Sequence, residues 1–124
     1  MKILVIEDHP MQLKLAHHVL AASGHEVSAA EGAEQALAAI KANRPQLILL
    51  DLILPGMDGL TLVRQLKADA DTRDIHIVAI TSYPELCPKA AAMAAGCDAY
   101  LIKPLDTRKL PGQLTAIASS GAAK

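Results

Sequence analysis

The chain has 124 residues, a length that fits one domain able to bury about 65–70% of the surface that its unfolded form exposes. Its 12 basic and 13 acidic residues give a formal net charge of −1 without a basic stripe, so direct contact with nucleic acid is not expected. The sequence shows no signal-like or membrane-length segment, and its two cysteines form no CxxC pair, so we expect a cytoplasmic protein with reduced thiols and no membrane association.

Five short apolar segments, most of them rich in β-branched residues or leucine, are predicted to be strands covered on both faces. They are Lys2–Ile6, Glu26–Ala30, Gln46–Leu50, Ile75–Ile80 and Ala99–Ile102. Segments with helical periodicity lie between them. This alternation predicts the α/β class, with a mostly parallel, doubly wound sheet and helices on both faces.

The first three helical segments each carry an apolar stripe that we expect to face the core. The stripe of the first helix is Met11, Leu15, Val19 and Ala22. Those of the next two are Ala33, Ala36, Leu37 and Ile40, and then Leu60, Val63 and Leu66.

Prolines interrupt the last two helical segments. The chain should be irregular up to Pro88, which suits the first position of a fourth helix of about two turns. Asp106 is a good N-cap for the fifth helix, but Pro111 removes an intrahelical hydrogen bond, so this helix should begin late or kink. Residues 119–124 are small and polar, and we predict a short flexible tail after a domain of residues 1–118.

Four of the predicted strands lead into residues that can do chemistry. Glu7 and Asp8 follow the first strand, Asp51 the third, Thr81 the fourth and Lys103 the fifth. Each residue alone has an ordinary structural explanation, such as a helix cap, a turn or a solvated lysine. Because open α/β sheets bind ligands at the carboxyl ends of their strands, we expect these side chains to converge on one site.

A cluster of three carboxylates indicates a bound cation, because two carboxylates about 4 Å apart repel by roughly 4 kcal/mol at an effective dielectric near 20. Carboxylate oxygens with no nearby histidine or cysteine ligand pattern favour Mg²⁺. A lysine and a hydroxyl facing the same point suit the remaining oxygens of a phosphoryl group. The pattern therefore predicts phosphoryl transfer onto one of the chain's own aspartates.

With these motifs the chain resembles the receiver domain of two-component response regulators, in a CheY-like, single-domain form with the flavodoxin-like strand order 2-1-3-4-5. The resemblance covers about residues 2–118. It rests on the pair Glu7-Asp8, the run Asp51–Gly59, Thr81, and Tyr100 three residues before Lys103-Pro104. The separations of 30 residues from Asp51 to Thr81 and 22 from Thr81 to Lys103 also match the family.

The resemblance implies that Asp51 accepts a phosphoryl group from a histidine kinase or a histidine phosphotransfer protein. It implies a Mg²⁺ ion bound directly by Asp8 and Asp51, through water by Glu7, and by the backbone carbonyl of Ile53. It also implies a regulatory domain that assists its own phosphorylation and dephosphorylation and is not an enzyme acting on an external substrate.

The resemblance further implies that Thr81 and Lys103 bind the phosphoryl oxygens and that Tyr100 turns inward on activation. The bond before Pro104 corresponds to the family's cis peptide, so Thr81, Tyr100 and Pro104 are the expected switch residues. A downstream protein partner is expected on the face formed by the fourth helix, the fifth strand and the fifth helix, in a monomer or weak dimer.

Two further positions bear on the lifetime of a phosphoryl group at Asp51. In the family they lie two residues beyond the acceptor aspartate and two beyond the threonine, and here they are Ile53 and Tyr83. Neither side chain can orient a water molecule as a carboxylate or amide could. We therefore expect both to exclude water and to make self-dephosphorylation slow.

The sequence leaves other functions open. A small Mg²⁺-dependent phosphatase would turn over an external substrate, and a flavodoxin-like redox protein would bind a flavin. The lack of a Ser/Thr/Gly-rich phosphate loop after the first strand argues against the flavin. The residues after Ser119 are also compatible with a domain cut from a longer kinase or regulator.

Overall fold

Five parallel strands form the central sheet of the protein. The computed structural model describes residues 1–54 and 56–122. The strands are β1 (Lys2–Ile6), β2 (Glu26–Ala30), β3 (Leu47–Asp51), β4 (His76–Thr81) and β5 (Ala99–Ile102). Neighbouring strands are all parallel and their order is β2-β1-β3-β4-β5. The α/β class and the order 2-1-3-4-5 are confirmed.

Helices cover both faces of this sheet, as predicted. Helices α1 and α5 pack on one face, and α2, α3 and α4 pack on the other. Alternate residues of each strand divide between the two cores, so the strands are apolar on both sides. Among the described residues, no helix has the length and apolar character needed to span a bilayer. The helices are α1 (Pro10–Ala22), α2 (Ala33–Ala42), α3 (Gly59–Ala68), α4 (Lys89–Ala95) and α5 (Leu110–Ala122).

The face by which α1 packs on the sheet differs from the prediction. Met11 is 76% exposed and Leu15 is 52% exposed, so the prediction that their stripe faces the core is wrong. Ala16 and Leu20 are buried instead. The helix carries two apolar stripes, and its packing against the sheet and α5 decides which of them is buried. The stripes predicted for α2 and α3 do face the core.

The prolines act on the last two helices much as predicted. Helix α4 has 7 residues, about two turns, and begins just after Pro88, which is its N-cap and not its first residue. It ends at Gly96, whose φ of +119° lies in the left-handed region that favours glycine. Helix α5 begins late, with Pro111 as its second residue. Asp106 accepts from the N–H of Arg108 and so caps the turn that precedes α5.

Helix α5 extends to Ala122, beyond the boundary predicted at residue 118. The segment that we expected to be a flexible tail is therefore helical over its first four residues. It contains alanines, which have the highest helix propensity, and no proline to stop the helix. Residues 123 and 124 of the predicted tail lie outside the described residues.

A short antiparallel strand pair, which we did not predict, lies in the connection between β3 and α3. Ile53–Leu54 pairs with Met57–Asp58. The side chain of Asp58 accepts a hydrogen bond from the N–H of Leu60 and so caps the start of α3. The first strand of this pair therefore begins two residues after Asp51, the last residue of β3.

Candidate functional site

Three carboxylates meet at the carboxyl edge of the sheet. Glu7 and Asp8 follow β1 directly, and Asp51 is the last residue of the neighbouring strand β3. One oxygen from each of the three side chains lies within 4.8 Å of the others. Glu7 and Asp51 are buried, at 2% and 7% exposure, whereas Asp8 is exposed. The structure thus brings together the three side chains that we predicted as metal ligands.

Lys103 follows β5, two strands away from β3 in the sheet, and its side chain reaches this cluster. Its Nζ donates hydrogen bonds to Glu7 Oε1, to Asp51 Oδ2 at 2.9 Å and to Gln12 Oε1 at 2.6 Å. The peptide bond between Lys103 and Pro104 is cis, as the resemblance implies. The ammonium group therefore joins the ends of β1, β3 and β5 with the first turn of α1.

Burial and mutual repulsion perturb the ionisation of this cluster. Burial, with the neighbouring Asp51, raises the pKa of Glu7 to about 7, although Lys103 opposes the shift. Burial alone would lower the pKa of Lys103, but its hydrogen bonds to Glu7 and Asp51 and their charges outweigh this effect, so its pKa is raised. Without a metal ion, the lysine ammonium thus carries the positive charge that faces the carboxylates.

Thr81 ends β4, the strand next to β3, and its side chain is fully buried. Its Oγ1 accepts a hydrogen bond from the N–H of Tyr83 at 3.0 Å. Asp51 Oδ1 accepts in the same way from the N–H of Ile53, also at 3.0 Å. The side chains of Ile53 and Tyr83 are 39% and 51% exposed. Their predicted roles, and that of the Ile53 carbonyl as a metal ligand, stay predictions.

Tyr100 lies on β5 and is half-buried. Its hydroxyl donates a hydrogen bond to the backbone carbonyl of Cys87, just before α4. Burial raises the pKa of Tyr100, and the nearby Cys87 and Glu85 add to the shift. This hydrogen bond thus links Tyr100 to the connection between β4 and α4, which also contains Tyr83.

Two contacts at this edge were missed by the sequence reasoning. The Gln12 side chain binds Lys103, and the Cys87 carbonyl binds Tyr100. A signal for Gln12 was present, because it lies in the first turn of a helix that starts right after Glu7 and Asp8. A backbone carbonyl such as that of Cys87 has no such signal, since every residue carries one.

The donor set fits a hard divalent cation. Among residues 1–54 and 56–122, Glu7, Asp8 and Asp51 form the one group of potential ligands found to converge. Carboxylate oxygens at a site open to solvent on one side suit Mg²⁺, which keeps several of its waters and binds through one or two carboxylates. Burial is the main cause of the raised pKa of Glu7 and the neighbouring Asp51 adds to it, so a cation at the cluster would favour the ionised carboxylate.

Comparisons with known proteins agree with this site. Residues 3–115 match the family model described as the response regulator receiver domain. The chain is 32% identical to the polar-differentiation response regulator DivK of Brucella anthropi over 103 residues, which cover 83% of this chain and 84% of DivK. It is 37% identical over 115 residues to the phosphate regulon transcriptional regulatory protein PhoB of Pseudomonas aeruginosa, covering 93% of this chain but only 50% of PhoB.

The fold is also shared with solved structures. A response regulator structure from Chloroflexus aurantiacus superposes with a TM-score of 0.88 at 30% identity, covering 95% of this chain and 97% of that one. The family model spans the carboxylate cluster, Thr81 and Lys103 alike. The chain therefore belongs to the response regulator receiver domain family.

Proposed function

We propose that the chain is a phosphorylation-dependent switch that accepts a phosphoryl group on Asp51 from a histidine kinase or a histidine phosphotransfer protein. The observation that carries the proposal is the environment of Asp51, which is buried, bonded to Lys103 and beside Glu7 and Asp8. In the transfer, the P–N bond of a phosphohistidine breaks and a P–O bond to a carboxylate oxygen of Asp51 forms. The imidazole leaves as the neutral group after taking up a proton.

Glu7, Asp8, Asp51 and the Ile53 carbonyl would hold a Mg²⁺ ion. When bound, the ion offsets the negative charge of the carboxylates and of the phosphoryl group. The Lys103 ammonium supplies a further positive charge within hydrogen-bond distance of Asp51.

Thr81 suits a role as a donor to the phosphoryl oxygens. Its Oγ1 already accepts from the N–H of Tyr83, which leaves the hydroxyl proton free to be donated. A phosphorylated Asp51 would carry about −1.5 to −2 charge in place of the single charge of its carboxylate, at the end of the adjacent strand β3. A new hydrogen bond from Thr81 to that group would pull on the connection between β4 and α4.

The same connection leads to the surface proposed for the downstream partner. The N–H of Cys87 donates to the Tyr83 carbonyl at 3.0 Å, and the Cys87 carbonyl accepts from Tyr100. Apolar side chains are exposed nearby, on the approach to α4, on α4 and on β5. They are Leu86 at 69%, Met93 at 40% and Ile102 at 53% exposure. These features support a partner face formed by α4, β5 and α5, on a protein that is itself a monomer or weak dimer.

The proposal is tested by labelling with acetyl phosphate, a small phosphodonor that needs no kinase. We expect the wild-type protein to take up one phosphoryl group per chain in the presence of Mg²⁺, and none in EDTA. Asp51→Asn should take up no label. Asp58→Asn is the matched control, because it changes an aspartate seven residues away that caps α3, and it should still be labelled.

Two outcomes would contradict the proposal. A stable acyl phosphate in Asp51→Asn would mean that another residue is the acceptor. Continuous hydrolysis of the donor that is retained in Asp51→Asn and abolished by Asp8→Asn would favour a Mg²⁺-dependent phosphatase.

A further inference from the structure

The side chain of Lys103 donates three hydrogen bonds, and the acceptor of one of them lies outside the acidic cluster. An ammonium group has three donors, and here they bind Glu7, Asp51 and Gln12. The Gln12 oxygen, at 2.6 Å, is at least as close to Nζ as the Asp51 oxygen at 2.9 Å. Gln12 belongs to α1, whereas both carboxylates lie at strand ends.

Packing alone does not fix the side chain of Lys103 in one position. A cavity of about 360 Å³ lies between α1 and the segment after β5, and Lys103 lines it together with Leu15, Pro104 and Leu105. A long aliphatic stem beside a cavity retains more rotamer freedom than one packed on all sides, and lysine is among the side chains with the most rotamer entropy to lose. Hydrogen bonds must therefore determine where the ammonium group lies.

We propose that Gln12 is a positioning residue for Lys103, which keeps the ammonium group at the edge of the acidic cluster. The inference rests on the proposed role of Asp51 as the phosphoacceptor. The two carboxylates that bind Lys103 are also among the groups that would hold a cation, so their bonds to the lysine compete with that use. The Gln12 amide is uncharged and lies outside the cluster, so it holds the ammonium group without competing for the cation.

The first measurement is made on the metal-free protein without any phosphodonor. In ¹⁵N-labelled protein, NMR reports the exchange of the Lys103 Nζ protons with water. Gln12→Met keeps the length of the side chain but removes the acceptor, and we expect exchange to be about threefold or more faster, because a charge-assisted bond is lost. Gln12→Glu keeps an oxygen at the same reach and should restore slow exchange.

The second measurement is the rate of Asp51 labelling by acetyl phosphate at saturating Mg²⁺. Gln12→Met should lower the rate by about threefold to tenfold, equivalent to the loss of one modest hydrogen bond. In a Lys103→Met background the same substitution should cause no further decrease, because the residue that it positions is absent. Gln113→Met is the matched control, an identical replacement of an exposed glutamine on α5, and should leave the rate unchanged.

The outcomes separate this inference from the proposed function. Unchanged proton exchange in Gln12→Met, or an equal decrease in labelling with and without Lys103, would overturn the role of Gln12. Failure of the wild-type protein to be labelled would overturn the proposed function alone, since the exchange measurement needs no phosphoryl transfer. Gln12 is exposed, so unfolding of the variants is not expected to mask the result.

Discussion

Glu7 is a buried carboxyl whose ionised form is disfavoured in the metal-free protein. Its pKa is raised from the ordinary value of 4.5 to about 7, first by burial and then by Asp51. Between these two pH values the folded protein binds more protons at this group than the unfolded chain does. The contribution of Glu7 to the free energy of unfolding must therefore fall as pH rises from about 4.5 to about 7.

The first prediction concerns this fall in the free energy of unfolding with rising pH. In EDTA, the ionisation of Glu7 should lower the free energy of unfolding of the wild-type protein by about 3 kcal/mol as pH rises from 4.5 to 8, as measured by urea unfolding. Glu7→Gln should remove this part of the pH dependence, and Mg²⁺ should oppose it. Glu34→Gln changes an exposed glutamate on α2 and should keep the wild-type profile. Identical profiles for wild type and Glu7→Gln would contradict the role of burial.

A second prediction at the residue scale concerns Ile53 and Tyr83. Each follows a key side chain by two residues, and each donates its backbone N–H to that side chain. Both residues are partly exposed, and we predict that their side chains block the approach of water to Asp51. We expect slow decay of labelled Asp51 in the presence of Mg²⁺, over minutes or longer.

The test replaces both side chains with groups that can orient water. Ile53→Asn combined with Tyr83→Glu should speed the first-order decay by about tenfold or more, which needs only about 1.4 kcal/mol in the barrier. Decay of the wild type within seconds, or the same rate in the double variant, would show that these side chains do not shield the phosphoryl group.

At the scale of elements, the start of α3 is held close to the end of β3. The N–H of Gly59 donates to the carbonyl of Leu52 at 3.0 Å, and a Cβ at Gly59 would lie 2.6 Å from the Cα of Leu52. The close contact involves backbone, which cannot rotate away as a side chain would. Glycine is therefore required where α3 begins, because this position packs against Leu52, the residue that follows the strand carrying Asp51.

We predict that Gly59→Ala lowers the free energy of unfolding by about 1–3 kcal/mol, the usual cost of forcing extra atoms into a packed site. Gly112→Ala is the control, because nothing lies within 4 Å of a Cβ at this position in α5. It should raise stability by about 0.5–1 kcal/mol, the helix propensity difference. Chemical denaturation measures both, and equal effects at the two sites would contradict the packing argument.

At the scale of the whole molecule, a series of bonds runs from the phosphorylation site to the proposed partner face. It passes from Thr81 through the turn at residues 83–87 to Tyr100. A phosphoryl group can shift the protein between two states only if it makes different contacts in each. Thr81 is the residue through which such a difference would reach the turn.

The prediction for the whole molecule is that Thr81→Ala separates phosphorylation from partner binding. The variant should still be labelled on Asp51, although more slowly, whereas the affinity for the partner should no longer change on phosphorylation or on binding of beryllofluoride. Calorimetric titration with the partner, once it is isolated, measures this change. A full wild-type change in affinity for Thr81→Ala would exclude Thr81 as the switch residue.

The sequence by itself determined the five strands, their parallel arrangement and the convergence of Glu7, Asp8, Asp51 and Lys103, whereas the strand order was implied by the resemblance to the receiver domain family. These features depend on local patterns, since apolar runs predict buried strands and the carboxyl ends of parallel strands must share one edge. The consequences of Pro88 and Pro111 were predictable for the same reason, because proline restricts its own backbone wherever it occurs.

Only the tertiary structure decided which face of α1 is buried and what holds Lys103. Helix α1 has two apolar stripes, and the sequence did not show that Ala16 and Leu20, and not Met11 and Leu15, would face the sheet. That choice also directs Gln12 toward Lys103, a residue 91 positions away in the chain. The sequence places Gln12 in the first turn of a helix that follows Glu7 and Asp8, but its contact with Lys103 depends on how that helix packs against a distant loop, which no local pattern encodes.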